Sequence, residues 1–263
     1  RVSGNSPIVA ALAQAAENGK EVQVLFEAHA RFDEENNLYW GERLARAGCR
    51  VMYGLPGLKT HSKITLFERE VDGQTRREVH LGTGNYHDGT ARLYTDFGLL
   101  TADPTLTSDA VAFFRGLESG GAEALEELVT APDQLAPTLL DLIERERGHA
   151  LAGRGARIVA KMNSLSDKAI IRALLNAGRA GVEIDLIVRG ICCVIPEIEG
   201  VSDNIHVRSI VGRNLEHARA FVFENGGQRE VYLSSADWMP RNLYRRVELM
   251  FPVKDVALAR AVE

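Results

Sequence analysis

The second half of this chain repeats the order of the first half, and this internal duplication is the strongest constraint on the fold. Ser6 and Ser166 begin matching helix patterns, and His61 and His217 precede matching apolar runs. In each copy, strand-like apolar runs alternate with helical patterns that end at glycine. This alternation predicts an α/β fold made of two similar domains.

The segment 103–157 separates the two copies and differs from both in composition. Its middle part is polar, rich in alanine and interrupted by glycine and proline. We therefore place a domain boundary there, with a first domain at residues 1–129 and a second at residues 130–263. Within the first copy, the dipeptide Asp72–Gly73 lies between two strand-like runs and predicts the turn of a hairpin.

Composition narrows the class of protein. With 263 residues and 45% hydrophobic content, the chain can form one large domain or two ordinary ones. The net charge of -5 argues against a nonspecific nucleic-acid binder, and the three cysteines lack the spacing of a zinc site or disulfide framework. No apolar run is long enough to cross a membrane. We expect a cytoplasmic protein, with peripheral membrane association as an alternative, and a piece of a longer chain.

Each copy carries one histidine followed two residues later by a basic residue. His61 precedes Lys63, and His217 precedes Arg219. Asp96 and Glu248 follow at matching positions inside apolar runs, where a carboxylate needs a partner. Each acid could hold a histidine, and a pseudo-twofold arrangement would bring the two histidines together. The alternative is that the acids form structural ion pairs with neighbouring arginines.

Paired histidines among basic residues suit phosphoryl transfer. A neutral imidazole is a nucleophile toward phosphorus, and the reaction otherwise requires positioning and positive charge around the phosphate oxygens. One histidine can act as the nucleophile and the other as a general acid, while Asp96 and Glu248 fix the imidazole tautomers. Further basic candidates lie near strand ends and turns: Arg1, Arg31, Lys161, Arg189, Arg241 and Arg246.

Several long runs resemble the C-terminal catalytic half of the histidine-dependent bacterial polyphosphate kinases. They include "GLKTHSK", "HLGTGNY", "TARLYTDFGLLTAD", "LIVRGICC" and "YLSSADWMPRN". The resemblance implies two phospholipase-D-like domains with the active site at their interface. It also implies reversible transfer of the ATP γ-phosphate to inorganic polyphosphate through a phosphohistidine, with Mg²⁺ and a homo-oligomeric full-length protein.

The resemblance also implies roles for single residues. His61 is the phosphorylated residue and His217 the second catalytic histidine. Tyr94 and Arg189 contact the nucleotide together with His217. As the basic partners of the two histidines, Lys63 and Arg219 are expected from the residues themselves to contact its phosphates. Arg246 helps to bind the polyphosphate chain. From their places near strand ends and turns, Arg241 and Lys161 are expected to bind it as well. Arg1 and Arg31 fall where the family has its magnesium site; because a guanidinium does not ligate a metal, we interpret them as phosphate contacts near the ion.

Two other functions compete with this one. The first is a phospholipase-D-type phosphodiesterase, but such enzymes carry His-x-Lys in both copies followed by an aspartate. Here the second copy has Arg219, and Glu68 and Glu224 stand beyond the two motifs. The second is a polyanion-binding fragment that lacks full activity because upstream domains are absent. The P-loop sequence of other phosphotransferases does not occur, and we expect no nucleic-acid partner.

Overall fold

The structure, a computed structural model, describes residues 6–27, 34–55, 57–121 and 123–263. The chain divides into two compact units. The first comprises residues up to 60 together with 85–94, and the second comprises 61–84 together with 95–263. The segments of the first copy are thus shared between the two units.

The first unit is a small α/β layer. Its elements are α1 (Pro7–Glu17), β1 (Gln23–Phe26), α2 (Glu34–Arg46), β2 (Arg50–Tyr53), β3 (Lys59–Thr60) and α3 (Asp88–Ala91). Ser6 caps α1 and Pro7 occupies its first turn, as the sequence predicts. β1 and β2 pair in parallel. Apolar side chains of both helices, including Val9, Trp40 and Leu44, are buried with Phe26 in one cluster.

The second unit contains most of the strands. Its first elements are β4 (Ile64–Val71), β5 (Gln74–Gly82), β7 (Gly98–Thr101), α4 (Pro104–Ser119), β8 (Val129–Ala131), α5 (Leu135–Leu151), β9 (Arg157–Met162) and α6 (Lys168–Arg179). The remaining ones are β10 (Glu183–Val188), β11 (Ile205–Arg208), β12 (Leu215–Glu216), β13 (Arg219–Phe223), β14 (Glu230–Ser234), α7 (Pro240–Tyr244), β15 (Arg246–Pro252) and α8 (Val256–Val262). β6 (Tyr94–Thr95) begins at the last residue of the first unit.

The large sheet of the second unit has the order β11-β10-β9-β13-β14-β15, with β8 also paired to β15. β9, β10 and β11 are parallel, whereas β13, β14, β15 and β8 pair in an antiparallel way. Alternate residues of β9 are buried, namely Ile158, Ala160 and Met162, and they lie in one apolar cluster with residues of α5 and α6. This one-sided burial is typical of a sheet face covered by helices.

The small sheet has the order β4-β5-β7. Asp72 and Gly73 form the turn between β4 and β5, both with positive φ, so the predicted hairpin is confirmed. The predicted alternation of strands and helices is also confirmed. No helix was predicted over residues 104–119, where the structure has α4. This helix is capped by Asp103 and ends at Gly120 in the left-handed conformation.

Candidate functional site

The two histidines have the same backbone arrangement. The N–H groups of His61 and of the residue after it both donate to the Val247 carbonyl, at 2.8 and 3.0 Å. The N–H groups of His217 and of the residue after it both donate to the Thr95 carbonyl, at 3.2 and 2.9 Å. Each accepting carbonyl belongs to the residue just before one of the two predicted acids. The duplication seen in the sequence therefore extends to the geometry of the site.

The acids are exchanged between the two copies. His61 Nδ1 lies 2.8 Å from Glu248 Oε2, so an acid of the second copy holds the histidine of the first. His217 Nδ1 lies 2.9 Å from each carboxylate oxygen of Asp96, an acid of the first copy. The sequence predicted that each acid could hold a histidine. Because the acids are exchanged, neither copy alone supplies a complete histidine–carboxylate pair.

A hydroxyl group supports each carboxylate. Ser235 donates to Glu248 Oε2 at 2.5 Å, and Thr83 donates to Asp96 Oδ1 at 2.7 Å. Both hydroxyl oxygens also accept the N–H of the residue after the acid, at 3.0 Å in each case. Neither hydroxyl was among the predicted site residues, although they occupy matching places in "HLGTGNY" and "YLSSADW".

Glu248 is fully buried and fixes the tautomer of His61. Its second oxygen accepts a hydrogen bond from Asn242 Nδ2 at 2.6 Å. Burial raises the pKa of this carboxyl, but the charges and hydrogen bonds of its surroundings, His61 first, outweigh burial and hold the pKa below its usual value. Burial and the nearby Lys63 charge lower the pKa of His61 to about 4. At neutral pH the imidazole is uncharged, its Nδ1–H donates to Glu248, and Nε2 carries the lone pair.

His217 is also held in the neutral form. Burial, followed by the positive charge of Arg219, lowers its pKa against the opposing effect of Asp96. Burial raises the pKa of Asp96, but the hydrogen bond and charge of His217 outweigh it, so this pKa lies below its usual value. The ionised carboxylate directs the proton of His217 to Nδ1, as Glu248 does for His61.

Lys63 is 4% exposed, and its ammonium group donates to the His61 carbonyl. Within the described residues it forms no ion pair with a carboxylate. Burial lowers its pKa to about 7; the negative charge of Glu248 opposes this shift, and the nearby arginine charges add to it. The charges of Lys63 and Arg219 each lower the pKa of both histidines. The two histidine–carboxylate pairs therefore belong to one electrostatic centre.

Lys63→Met is expected to raise the free energy of unfolding by about 1–3 kcal/mol near pH 6, because methionine occupies a similar space without a buried charge. The pKa of Lys63 is lowered to about 7 from 10.5. Its destabilising charge is therefore fully present below about pH 7. This destabilisation is lost as the pH rises from about 7 to about 10.5, because in this range only the unfolded chain still binds the proton.

Urea unfolding of both proteins near pH 6 and near pH 9 measures this difference. The gain in the variant should shrink at the higher pH. Lys161→Met is a control, because Lys161 is paired with Glu216 at 3.1 Å, so its replacement should not raise the free energy of unfolding. An equal gain at both pH values in Lys63→Met would contradict a depressed lysine pKa.

Arg219 is held by a second buried acid that the sequence analysis had not assigned to the site. Its Nε and Nη2 donate to the two oxygens of Asp237 at 3.1 and 3.2 Å. Asp237 Oδ1 also accepts from Asn163 N at 2.8 Å and from Asn163 Nδ2 at 3.0 Å. Arg189 Nε donates to Asn163 Oδ1. A continuous polar network thus joins Arg189, at the end of β10, to Arg219 and His217.

Two predicted basic residues, Arg246 and Arg241, are related to this centre, the first by its distance and the second by its electrostatic effect. Arg246, the first residue of β15, has Nη1 at 3.9 Å from Glu248 Oε1. Burial lowers its pKa, and the charge of Arg241, an exposed residue of α7, adds to the effect. Arg246 therefore lies beside the acid that holds His61, and Arg241 acts electrostatically on Arg246.

The other predicted site residues are placed differently. Lys161 lies on β9, where it pairs with Glu216 and donates to the Ala218 carbonyl at 3.3 Å. Tyr94 is partly buried at the start of β6 and belongs to the first compact unit. Arg1 and Arg31 lie outside the described residues.

The described residues contain no group of three or more His, Cys, Asp or Glu side chains arranged to hold a metal ion. The same part of the chain contains no helix whose length and hydrophobicity would let it span a membrane.

Two family models match the chain: "Polyphosphate kinase C-terminal domain 1" over residues 1–123 and "Polyphosphate kinase C-terminal domain 2" over residues 128–263. The chain belongs to the polyphosphate kinase family. The polyphosphate kinase of Halalkalibacterium halodurans is 56% identical over 265 residues, which cover 100% of this chain and 37% of the relative. That of Pseudomonas aeruginosa is 54% identical over 264 residues, which cover 100% of this chain and 38% of the relative. The chain thus spans well under half of these relatives.

Solved structures agree with this assignment. The polyphosphate kinase of Porphyromonas gingivalis superposes with a TM-score of 0.90 at 42% identity, covering 100% of this chain and 40% of that one. A mutant of yeast tyrosyl-DNA phosphodiesterase superposes with a TM-score of 0.55 at 8% identity, covering 95% of this chain and 80% of that one. The latter similarity concerns the fold alone. The expected α/β fold with two phospholipase-D-like domains is confirmed, whereas the boundary at residues 129 and 130 stays a prediction.

Proposed function

We propose that this chain carries the phosphoryl-transfer centre of a polyphosphate kinase, which moves the γ-phosphate of ATP reversibly onto inorganic polyphosphate through a phosphohistidine at His61. The observation that carries the proposal is the state of His61: a neutral imidazole whose Nδ1–H is bound to the buried carboxylate of Glu248, 2.8 Å away. An imidazole in this tautomer has its nucleophilic lone pair on Nε2.

In the first step, Nε2 of His61 forms a bond to the γ-phosphorus of ATP. The bond from that phosphorus to the bridging oxygen breaks, and ADP leaves with the electron pair. The Nδ1 proton remains hydrogen-bonded to Glu248, which stabilises the positive charge that develops on the phosphorylated ring. The buried carboxylate thus has a catalytic role beyond orientation.

In the second step, a terminal oxygen of polyphosphate forms a bond to the same phosphorus. The nitrogen–phosphorus bond breaks, its electron pair returns to Nε2 of His61, and the chain is one phosphate longer. Both steps exchange one phosphate acceptor for another without consuming water. The reverse sequence, from polyphosphate to ADP, uses the same atoms.

His217 and Lys63 assist these steps in different ways. His217, with Nδ1 bound to Asp96, first takes up a proton on Nε2 and then acts as the general acid that donates this proton to the leaving phosphate. The Lys63 ammonium, which has no carboxylate ion pair among the described residues, neutralises the oxygens of the transferring phosphoryl group. A bound phosphate stabilises the charged form of Lys63, so we expect proton uptake by this site on binding.

The remaining basic residues extend the substrate site. Tyr94 and Arg189 contact the nucleotide in this proposal, and Arg189 is already fixed by Asn163 of the polar network. Arg246, Arg241 and Lys161 bind the polyphosphate chain. Of the three, Arg246 has the most direct support because it lies 3.9 Å from Glu248.

We propose Mg²⁺ as the ion that accompanies the ATP phosphates, as is usual for phosphoryl transfer. The described residues do not themselves form a carboxylate or histidine set that fits a metal, so no step is assigned to the ion. Arg1 and Arg31 remain proposed phosphate contacts near it. A cytoplasmic location and a homo-oligomeric full-length protein complete the proposal.

His61→Ala is expected to abolish covalent phosphorylation of the chain. The chain and the variant are incubated with Mg²⁺ and either γ-labelled ATP or labelled polyphosphate, and acid-labile, base-stable label is measured. His206→Ala serves as the control, because His206 is an exposed histidine that contacts Glu197. It should be labelled like the parent chain, since the variant retains both histidine–carboxylate pairs.

The other outcomes separate the competing functions. Label from polyphosphate but not from ATP would mean that the nucleotide site needs parts of the relatives that this chain does not span. Hydrolysis of a phosphodiester such as bis-p-nitrophenyl phosphate would support a phosphodiesterase. Absence of label from both donors, with polyphosphate binding retained in His61→Ala, would support a binding fragment. Label that persists in His61→Ala would overturn the choice of nucleophile.

A further inference from the structure

We propose that Arg219 is a positioning residue that Asp237 and Asn163 hold against His217, and that it is not a ligand of the substrate phosphates. In its catalytic consequence this proposal rests on the proposed function, but the structural part stands independently. It changes the role predicted for Arg219 as the counterpart of Lys63.

Most hydrogen-bond donors of Arg219 are occupied within the protein. A guanidinium has five N–H groups. Nε and Nη2 donate to the two oxygens of Asp237, and Nη1 donates to the His217 carbonyl at 2.9 Å and to the Thr83 carbonyl at 3.5 Å. The residue is only 4% exposed. A phosphate would have to displace Asp237 to obtain the paired contact that arginine usually makes.

The same guanidinium lies directly against the catalytic imidazole. Arg219 Nη1 is 3.4 Å from Nδ1 and 3.2 Å from Nε2 of His217. Asn163 secures this position twice, because it donates to Asp237 and its Nδ2 also donates to the His217 carbonyl at 3.2 Å. The pair Arg219–Asp237 is therefore a rigid support for the histidine.

The buried cations of the two copies consequently have different roles. In the first copy, Lys63 is a buried cation without a carboxylate ion pair in the described part of the chain. In the second copy, Arg219 is a buried cation neutralised by Asp237, which occupies the place of Asn85 in the first copy. An unpaired buried ammonium requires an anion far more than a paired guanidinium does. We therefore assign contact with the transferring phosphoryl group to Lys63.

The position of Arg219 also sets the acidity of His217. In the part of the chain that the structure describes, the charged groups that act on this imidazole include Asp96, which favours its protonated form, and Arg219 and Lys63, which oppose it. A positioned positive charge makes the protonated imidazole a stronger acid toward the leaving phosphate. Arg219 thus acts on the reaction through His217.

The test is an NMR titration of the whole chain with ¹⁵N-labelled histidine, comparing the parent with Arg219→Gln. Loss of the positive charge is expected to raise the pKa of His217 measurably. Arg157→Gln is the matched control, because Arg157 pairs with Asp185 through Nε and Nη2 at 3.2 and 2.6 Å on the surface. It should leave the His217 titration unchanged. An unchanged His217 pKa in Arg219→Gln would overturn the proposal.

Binding of inorganic tripolyphosphate, measured by calorimetry, supplies the second criterion. Its affinity should change by less than about twofold in Arg219→Gln and fall at least about tenfold in Lys63→Met, because a phosphate contact of a buried cation is a strong one. A loss in Arg219→Gln as large as that in Lys63→Met would overturn the proposal. Where the parent chain does not bind tripolyphosphate, the His217 titration decides alone.

The NMR signals of the other histidines would show whether Arg219→Gln folds. If it does not fold, a measurement on the unmutated chain tests the proposal instead. The ¹⁵Nε signal of Arg219, assigned with Arg219→Lys, should stay unchanged when tripolyphosphate is added. A large shift would mean that phosphate replaces Asp237, against the proposal. None of these readouts requires turnover, so they are separate from the phosphohistidine test of the proposed function.

Discussion

Replacing Glu248 with glutamine is expected to slow phosphorylation of His61 by about 10² to 10⁴-fold, the range seen when the acid that orients a catalytic histidine is neutralised. Glu248 accepts the Nδ1–H of His61, the hydroxyl of Ser235 and the amide of Asn242. A glutamine has one oxygen and two N–H groups, so it cannot accept all three hydrogen bonds. In the proposed mechanism it also removes the negative charge that stabilises the phosphorylated imidazole.

The measurement is the single-turnover rate of label transfer from polyphosphate or ATP to the chain. Glu146→Gln is the matched control. Glu146 is equally buried, but it accepts the backbone N–H groups of Arg157 and Asn225, at 3.1 and 2.7 Å. Both variants should lose stability, because each leaves a buried polar group without a partner. Only Glu248→Gln should lose phosphorylation, and comparable rates in the two variants would show that Glu248 is structural.

A loss of phosphorylation must be distinguished from a loss of folded protein. Unfolding curves of both variants should show that the chain remains folded at the assay temperature. A glutamine at position 248 still fills the space of glutamate, so the apolar packing around β15 is kept. The comparison therefore concerns the charge and hydrogen-bond pattern rather than a cavity.

The sequence predicted the centre of this site better than its supports. A repeated histidine with an acid at a matching distance is a periodic signal, so His61, His217, Asp96 and Glu248 could be found without a structure. Their exchange between copies could not, because equal spacing in both copies is compatible with pairing inside a copy or across copies. Only the placement of β15 beside the His61 loop decides between them.

The features that were not predicted were missed for different reasons. Thr83 and Ser235 did carry a signal, because they occupy the same place in the two copies, but hydroxyl residues near glycine turns are common. Asn163 carried none: it lies after β9, far along the chain from both His217 and Asp237, and its role depends on tertiary contacts. Helix α4 was missed because its caps lie in a segment whose polar composition suggested a linker.

Gly84→Ala is expected to slow the step that depends on His217 by about 10²-fold, the scale of a general-acid contribution. A Cβ atom at this position would lie 2.2 Å from Oδ2 and 2.3 Å from Cγ of Asp96. Cβ of Asp96 itself would lie 2.7 Å away, so rotation of the carboxylate alone cannot relieve the overlap. Asp96 must therefore move, and its hydrogen bonds with His217 and Thr83 lengthen or break.

A double-mutant cycle with Asp96→Ala tests this cause. In Asp96→Ala the extra methyl group at position 84 still meets Cβ of residue 96, at 2.7 Å, but no carboxylate remains to be displaced from His217. The effects of the two changes should then be strongly non-additive, since both act through the same contact. Gly212→Ala is the control, because a Cβ at that exposed position meets nothing within 4 Å.

The readout should include the titration of His217 as well as the transfer rate. Asp96 favours the protonated imidazole, so displacing it is expected to lower the pKa of His217 further, opposite in sign to the effect of Arg219→Gln. A rate loss with no change in this pKa, or equal losses added in the double variant, would show that Gly84 acts on the fold and not through Asp96. Opposite shifts of the His217 pKa in Gly84→Ala and Arg219→Gln would establish that Asp96 and Arg219 act on this imidazole in opposite directions.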